Sequence, residues 1–352
     1  MHVRKTGARC RCGCTSRRPE EKWVVGLVNT PVGDVPQVST HLTLRDTLGR
    51  WRVRWGISRD RYLVKPGLYA VGSPGPDDIV LVTANYKCSF DALRRELEGL
   101  DAWILVLDTK GINVWCAAGK GTFGTEELVG RIEASSLRNV VAHHTLILPQ
   151  LGASGVAAHE VKSLTGFRVV YGPIRATDLR RFLEAGLKAD PSMRLVSFSL
   201  ADRLAVTPVE LVGALRHMPH AVAILALGTL LTPMTALAGF YALLTLTGTM
   251  LIGTVLIPVL LPWLPFRSFS LKGWLVGLLW AMLVAWLSGA DVLGWIAALL
   301  LLPAIVAFFA LNFTGATPVT SQTGVNREIS LFARPMLIAA VIGIVSSVAS
   351  LW

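Results

Sequence analysis

The stretch Ala102-Trp-Ile-Leu-Val-Leu-Asp-Thr-Lys-Gly-Ile-Asn-Val-Trp-Cys-Ala-Ala-Gly-Lys-Gly-Thr-Phe-Gly-Thr-Glu-Glu-Leu-Val-Gly-Arg-Ile-Glu-Ala134 holds three kinds of sequence in succession. Ala102 to Leu107 is apolar without alternation, the pattern of a strand buried on both faces. Asp108 to Gly124 is rich in glycine and reads as a long loop. Thr125 to Ala134 reads as a helical stretch. The same order recurs on either side. Strands are predicted at Ile79 to Thr83, Thr145 to Leu148 and Phe167 to Tyr171, and helices at Phe90 to Leu97, Val156 to Leu164 and Thr177 to Leu187. Strands alternating with helices predict an α/β fold, a flavodoxin- or Rossmann-like parallel sheet with helices on both faces.

In such a sheet every strand-to-helix loop emerges at the carboxyl edge, where ligands bind. Those loops are Thr83-Ala-Asn-Tyr-Lys87, Asp108 to Gly124, Pro149-Gln-Leu-Gly-Ala-Ser-Gly155 and Gly172-Pro-Ile-Arg175. Glycines or small residues in all of them allow backbone to approach a large flat ligand. The second loop imitates two nucleotide motifs. Gly119, Gly121 and Gly124 satisfy G-x-G-x-x-G, but the first glycine comes about a dozen residues after the strand, and His143 and His144 stand where an acidic residue should close the next strand. Ala118-Gly-Lys-Gly-Thr122 resembles a phosphate loop, yet Val114 occupies its first glycine position and Gly121 its Ser/Thr position.

What remains distinctive is Cys116, placed near a predicted helix start with Lys120 one turn on. Free N–H groups, the positive end of the helix dipole and the lysine all favour a thiolate there, fit to be a ligand or a nucleophile. A small buried residue filling a gap accounts for the cysteine equally well.

Over 352 residues, 52% are hydrophobic and the mean hydropathy is +0.53, well above a soluble globular average. Charged residues are frequent up to about Arg216 and then almost vanish. The apolar run from His220 to Trp263 is about twice the roughly 20 residues that one helix needs to cross a bilayer, so it predicts a helical hairpin, with Thr232, Pro233 and Thr235 near its turn or a kink. Further spans are expected at Gly273 to Ser288, Val292 to Asn312 and Pro335 to Leu351, five in all. Arg203 and Arg216, Arg267 and Lys272, and Arg327 and Arg334 then fall on one side; the two opposite turns hold no Lys or Arg, only Asp291. Because basic loops stay inside, the soluble part is expected in the cytoplasm, at an inner membrane, with the C-terminus outside. No predicted span holds a buried ionisable residue, which disfavours transport. The expected domains are a basic cysteine-containing tail (1–38), a soluble domain (39–195), a linker (196–218) and a five-helix transmembrane domain (219–352).

The charge of +11 does not indicate nucleic acid, since the basic residues are divided among the tail, a helix surface and membrane loops without interleaved aromatics. The five cysteines form no spaced disulfide framework and suit a reducing compartment. The first residues contain no apolar core of signal-peptide length, so the N-terminus is expected to stay inside.

The octapeptide Asn113-Val-Trp-Cys-Ala-Ala-Gly-Lys120 resembles the cap-helix signature of the mercury-methylating corrinoid proteins, the HgcA family. Val82-Thr-Ala-Asn-Tyr-Lys87, Leu146-Ile-Leu-Pro-Gln-Leu-Gly-Ala153, Gly166-Phe-Arg-Val-Val-Tyr-Gly-Pro173 and the loop Asn312 to Glu328 are similar to family segments in the same order. The likeness covers nearly everything after about residue 40, including the five-span tail. It implies a corrinoid domain related to the large subunit of the corrinoid iron-sulfur protein, binding a cobalamin-type cofactor with the Cys116 thiolate as lower axial ligand to cobalt. It further implies that Asn113, Val114, Trp115, Ala117, Ala118, Gly119 and Lys120 shape the helix beneath the ring, with Thr83, Gln150 and Gly152 beside it.

The implied activity is that of a mercury methyltransferase, which takes methyl from a methyl-tetrahydrofolate-type donor and passes it from cobalt to Hg(II). Hg(II) is an electrophile and must receive a CH3− equivalent, which a soft thiolate donor trans to the methyl favours. Cobalt must then be re-reduced, and Cys10, Cys12, Cys14 and Cys88 lack iron-sulfur spacing. A separate low-potential ferredoxin is therefore expected, and the resemblance implies that it is of the HgcB type, with two [4Fe-4S] clusters. Cys10-Arg-Cys-Gly-Cys14 departs from the family pattern; two of its thiols could hold Hg(II), or the tail is incidental. A membrane-anchored corrinoid methyl carrier of acetyl-CoA-type carbon metabolism is the alternative, and a nucleotide-sensing receptor or transporter a third reading. The polar loop Asn312 to Glu328 is either a connector or a docking element for the soluble domain.

Overall fold

The computed structural model describes residues 21–231 and 234–351. The chain divides into two compact units, one of residues up to Asp46 with Tyr62–Arg194, the other of Thr47–Arg61 with Leu195–Trp352. Cys10, Cys12 and Cys14 lie outside the described residues.

The first unit is a seven-stranded sheet in the order β1-β2-β3-β5-β4-β6-β7: β1 Val24–Thr30, β2 Gly33–Val38, β3 Gly67–Val71, β4 Val80–Ala84, β5 Ala102–Leu107, β6 Thr145–Leu148 and β7 Arg168–Tyr171. β5, β4, β6 and β7 are mutually parallel, as the alternation of strands and helices requires. The sheet as a whole is mixed. β3 runs antiparallel to β5, and β1 and β2 form an antiparallel hairpin, with β2 meeting β3 through a single parallel pair, Gln37 with Ala70. Val24–Val38, read from sequence as part of a tail, is therefore sheet.

The apolar strands send alternate residues to two cores. Val80, Val82, Ala84, Trp103, Leu105 and Leu107 pack on one face with α3 (Val114–Gly119), α4 (Thr125–Ala134) and α5 (Ala158–Thr165). Leu81, Ile104, Val106 and Ile147 pack on the other with α2 (Lys87–Arg95) and α6 (Leu179–Glu184).

One buried charge cluster ties α2 down. Lys87, Asp91 and Arg94 share a face of α2 and meet Asp46 in α1 (Leu44–Arg54): the Lys87 ammonium lies 2.9 Å from Asp46 and 2.6 Å from Asp91, and Arg94 lies 2.7 Å from Asp91 and 3.1 Å from Asp46. Arg94 also donates to the carbonyls of Ser39 and His41. Burial pushes the Asp46 carboxyl up, but the Thr43 amide and the Lys87 ammonium outweigh it and hold it at about 2. The same setting raises the Tyr62 phenol, by burial first and then by the nearby carboxylate of Asp91. With each charge paired, removal of one partner strands another in a water-poor site.

Among the described residues the second unit has five helices long and apolar enough to cross a membrane: Leu200–Gly228, Ala236–Leu260, Phe269–Leu287, Val292–Phe313 and Thr323–Ala349. Helix stops at Leu231 and resumes at Ala236, where the Thr235 hydroxyl accepts from the Ala238 amide; Thr232 and Pro233, expected near the turn, lie outside the described residues. Two boundaries differ from the sequence reading. The first span begins within the residues read as a linker, since α7 (Leu200–Leu215) starts on a Ser199–Asp202 capping box. The loop read as Asn312–Glu328 is largely helical: α12 (Val292–Phe313) runs into a 3-10 turn and α13 (Gln322–Ala349) begins soon after.

These boundaries place ionisable residues inside spans, contrary to the sequence reading, and packing explains the two that are buried. Arg203 donates to the carbonyls of Pro258 and Val259 at 3.2 and 2.6 Å, and Lys272 to that of Leu261 at 2.7 Å. Those carbonyls end the second span and would otherwise lack donors. The Glu328 carboxylate accepts from the Phe269 and Ser270 amides at 2.9 and 3.1 Å, capping the third span, α11 (Phe269–Leu287), from α13. Within the second span Pro258 lacks the N–H that Thr254 would accept from, and Ile252–Leu256 takes a π-helical turn. Glycines let the helices touch: a Cβ on Gly273 would lie 2.5 Å from Ala307 Cα, and one on Gly277 2.5 Å from Pro303 Cα.

Candidate functional site

β4, β5 and β6 end at neighbouring positions, and their following loops are locked to one another. Asn85, the residue after β4, is 3% exposed and organises the loop after β5. Its Oδ1 accepts from the Thr109 amide at 3.1 Å and the Gly111 amide at 3.0 Å, with the Thr109 hydroxyl 2.8 Å away. Its Nδ2 donates to Asp108 at 3.1 Å. Lys110 and Gly111 both take positive φ, +55° and +72°, so the chain reverses there within two residues. Lys110 pairs with Asp108, which lowers the Asp108 carboxyl and raises the Lys110 ammonium. The reversal leads directly into α3.

α3 is short because Asn113 starts it and glycines follow it. The Asn113 side chain accepts from the Cys116 amide at 2.9 Å, so this amide is already spent on the cap. Lys120 is the C-cap, and Gly121 follows at φ +79°. Val114, Ala117 and Ala118 point into the core, whereas Trp115 and Cys116 are half-buried and Gly119 is exposed on the opposite side. The helix thus presents one thiol away from the core, beside an indole and a bare backbone.

The seat beneath α3 is built for contact. A Cβ on Gly155 would lie 2.2 Å from the Phe123 carbonyl oxygen and 2.9 Å from Ala118 Cα, and one on Gly152 2.5 Å from the Phe123 ring. By contrast, a Cβ on Gly119 or Gly121 would meet nothing within 4 Å. Hence the glycines of the β6 loop serve close packing beneath the helix, and those of the β5 loop leave its outer side open. The Thr125 hydroxyl accepts from the Ala157 amide at 2.9 Å, and Tyr171 donates to the Val156 carbonyl at 2.6 Å, fastening the β6 loop to α4 and β7. Burial raises the Tyr171 phenol.

The residues expected around a ring are only partly brought together. Asn113, Val114, Trp115, Cys116, Ala117, Ala118, Gly119 and Lys120 form or cap α3 as expected. Gln150 stands at the start of a 3-10 turn packed against α3, and its side-chain oxygen accepts from Arg194. Gly152 is buried under Phe123. Thr83 is 4% exposed and shares its strand face with Leu81, the side of α2 and α6, not that of α3. Sequence reasoning gave no role to Asn85, whose contacts reach 24 residues ahead to Thr109; a buried asparagine directly after a strand was its one local sign. Among the described residues no group of three or more His, Cys, Asp or Glu side chains could hold a metal ion. A metal at this site would therefore draw fewer than three such side chains from the described residues and depend on other donors.

Residues 56–183, which include β3 to β7 and the whole of this site, match the family model described as CO dehydrogenase/acetyl-CoA synthase delta subunit. Among curated relatives, the acetyl-CoA decarbonylase/synthase complex subunit gamma of Archaeoglobus fulgidus is 32% identical over 123 residues, 34% of this chain and 26% of that protein. The Methanopyrus kandleri subunit gamma is 33% identical over 128 residues, 36% of this chain and 27% of that one. The corrinoid/iron-sulfur protein large subunit of Moorella thermoacetica is 29% identical over 126 residues, 35% of this chain and 28% of that protein. The chain spans about a quarter of the length of these relatives.

Proposed function

We propose that this chain is a membrane-bound corrinoid protein that passes a methyl group from cobalt to Hg(II), with Cys116 as the lower ligand of the metal. The observation that carries the reading is α3 itself: a six-residue helix on a glycine-cut seat at the carboxyl edge of the parallel strands, turning one soft thiol outward. Similarity to a corrinoid/iron-sulfur protein large subunit over 126 residues, beside the family match over residues 56–183, supports the cofactor class. When bound, the corrinoid supplies a cobalt-held methyl group, which must leave with the bonding electron pair because Hg(II) is an electrophile. The chain contributes the Cys116 sulfur, a strong and soft donor that favours that polarity. Asn113 fixes the first turn, Val114, Ala117 and Ala118 hold the helix against the sheet, and Gly119 keeps the face beside the sulfur clear for a flat ring. Trp115, Lys120 and Gln150 complete the proposed surroundings, whereas Thr83, on the other strand face, and Gly152, packed under Phe123, stand away from the open side of α3.

The names of the relatives favour a second reading of the acceptor, a carrier that hands methyl to an enzyme of acetyl-CoA-type carbon metabolism. Both readings use the same site and differ in what approaches it. Re-reduction of the metal falls to a separate low-potential protein, proposed as a two-cluster [4Fe-4S] ferredoxin, and methyl to a methyl-tetrahydrofolate-type donor. With Arg203, Arg267, Lys272 and Arg327 collected at one set of span ends, the soluble unit is proposed to face the cytoplasm and residue 351 the other side. The test is anaerobic incubation of the full chain with methyl donor, reductant and Hg(II). Methylmercury is expected from the native chain and none from Cys116→Ala or Cys116→His. Equal production by Cys116→Ala would overturn the ligand assignment, and methyl release to a thiol or nickel acceptor but never to Hg(II) would favour the carrier.

A further inference from the structure

We infer that α1 is an interfacial helix whose Leu/Trp stripe is seated in the headgroup layer of an anionic bilayer. Leu44, Leu48 and Trp51 recur at i, i+4 and i+7 on one face of the helix, and Trp55 follows at i+11 in the turn directly after its end. They are 84, 63, 51 and 41% exposed, which a water-facing helix does not sustain in two leucines and two tryptophans together. The opposite face is inward: Val53 is buried and Asp46 is paired with Lys87 and Arg94. Arg45 and Arg52 flank the stripe on one side and Arg50 and Arg54 on the other, with Arg59 and Arg61 just beyond. Asp46 and Asp60 are the acids of this segment, and Asp46 is already neutralised.

An apolar stripe bordered by arginines, with tryptophans on it, fits the boundary between acyl chains and phosphate groups. Two observations choose lipid over an acidic protein as the occupant. Thr47–Arg61 belongs to the same compact unit as the five helices that are long and apolar enough to cross a membrane, so most of the helix continues the surface expected to meet lipid. Moreover, a Cβ built on Gly56 would lie 3.6 Å from Cγ1 of Val212, in the first span, which sets the end of the stripe beside a membrane helix. The arginines add attraction to anionic headgroups, roughly fivefold in affinity for each that reaches the surface.

The test uses the full chain in nanodiscs made of equal parts phosphatidylcholine and phosphatidylglycerol, with the photo-crosslinking residue p-benzoylphenylalanine in place of Leu48. Illumination and mass spectrometry should find lipid adducts on the peptide that carries position 48, with phosphatidylglycerol in excess. Arg52→Gln in the same protein should cut that excess up to about fivefold. Hydrogen exchange of the unsubstituted chain is the second measurement: amides 48–55 should exchange more slowly in the mixed nanodiscs than in pure phosphatidylcholine. Position 48 giving no lipid adduct, with exchange indifferent to lipid charge, would overturn the inference. So would adducts that form only with an acidic protein added to the nanodiscs.

Discussion

Replacing Gly155 by alanine should lift the cap helix from its seat. The new Cβ would lie 2.2 Å from the Phe123 carbonyl oxygen and 2.9 Å from Ala118 Cα, where ordinary contact begins at 3.4 Å, so backbone must move by about 1.2 Å. Both neighbours are main-chain atoms, and neither can swing aside as a side chain would. Gly155 does not need a left-handed conformation, so the cost is steric, and overpacking of this kind runs to about 1–3 kcal/mol. The amides that hold the end of α3 report the effect: Lys120 bonded to Cys116, Gly121 to Ala118, and Phe123 to Ala117. If local opening governs their exchange with solvent, that cost speeds it roughly 5- to 150-fold. Hydrogen exchange of the full chain in detergent measures it, and corrinoid retained after purification should fall in parallel. Gly130→Ala is the control, because a Cβ there meets nothing within 4 Å and an alanine inside α4 should be neutral or stabilising. Unchanged exchange at 120–123 in Gly155→Ala would refute the claim that this glycine seats the helix.

Asn85→Ala takes the acceptor from the part-buried Gly111 amide and one of two acceptors from the buried Thr109 amide, which also bonds to the Leu107 carbonyl, and should destabilise the first unit by about 1–3 kcal/mol, read as a lower denaturation midpoint. Asp46 titrates below its ordinary 3.8, at about 2, so its stabilising effect, about 2 kcal/mol, is complete above about pH 4 and is lost as pH falls toward 2. The stability gap between the native chain and Asp46→Asn should accordingly stay constant from neutral pH to about 5 and close below 4; a gap that persists at pH 2 would contradict the assignment. Gly277→Val should separate α11 from α12, because its Cβ meets the Pro303 main chain at 2.5 Å, and should lower the yield of detergent-stable protein; Gly289→Ala, whose Cβ meets nothing and whose only cost is about 1 kcal/mol for its φ of +60°, should cost less. Repeated turnover should stop when the external reductant is withheld, since Cys10, Cys12, Cys14 and Cys88 lack the spacing of an iron-sulfur cluster.

Much of the parallel sheet was legible because both faces are covered. Ala102–Leu107, Thr145–Leu148 and Thr125–Ala134 have the bounds their apolar patterns predict. β1 and β2 were not legible: Gly26 and Pro36 interrupt the apolar pattern, and the register shifts between Val24 and Gly26, features that only an edge hairpin tolerates. The first span was cut short in the sequence because Arg203, Glu210 and Arg216 lower its hydropathy, while the structure shows Arg203 spending its charge on helix-end carbonyls. At the candidate site, Cys116 and its helix could be read locally, from Asn113 to Lys120. The support could not, because Asn85 and Gly155 act across loops far apart in sequence. Thr83 illustrates the opposite limit, since its place beside a ring was an expectation from likeness, and strand alternation turns it to the other face from α3.

The central claim is that Cys116 binds cobalt. The full chain, purified without oxygen, should show the visible bands of a corrinoid, and X-ray absorption at the cobalt edge should contain scattering from one sulfur that disappears in Cys116→Ala. A colourless chain, or a corrinoid whose cobalt environment is the same in Cys116→Ala, would contradict the account.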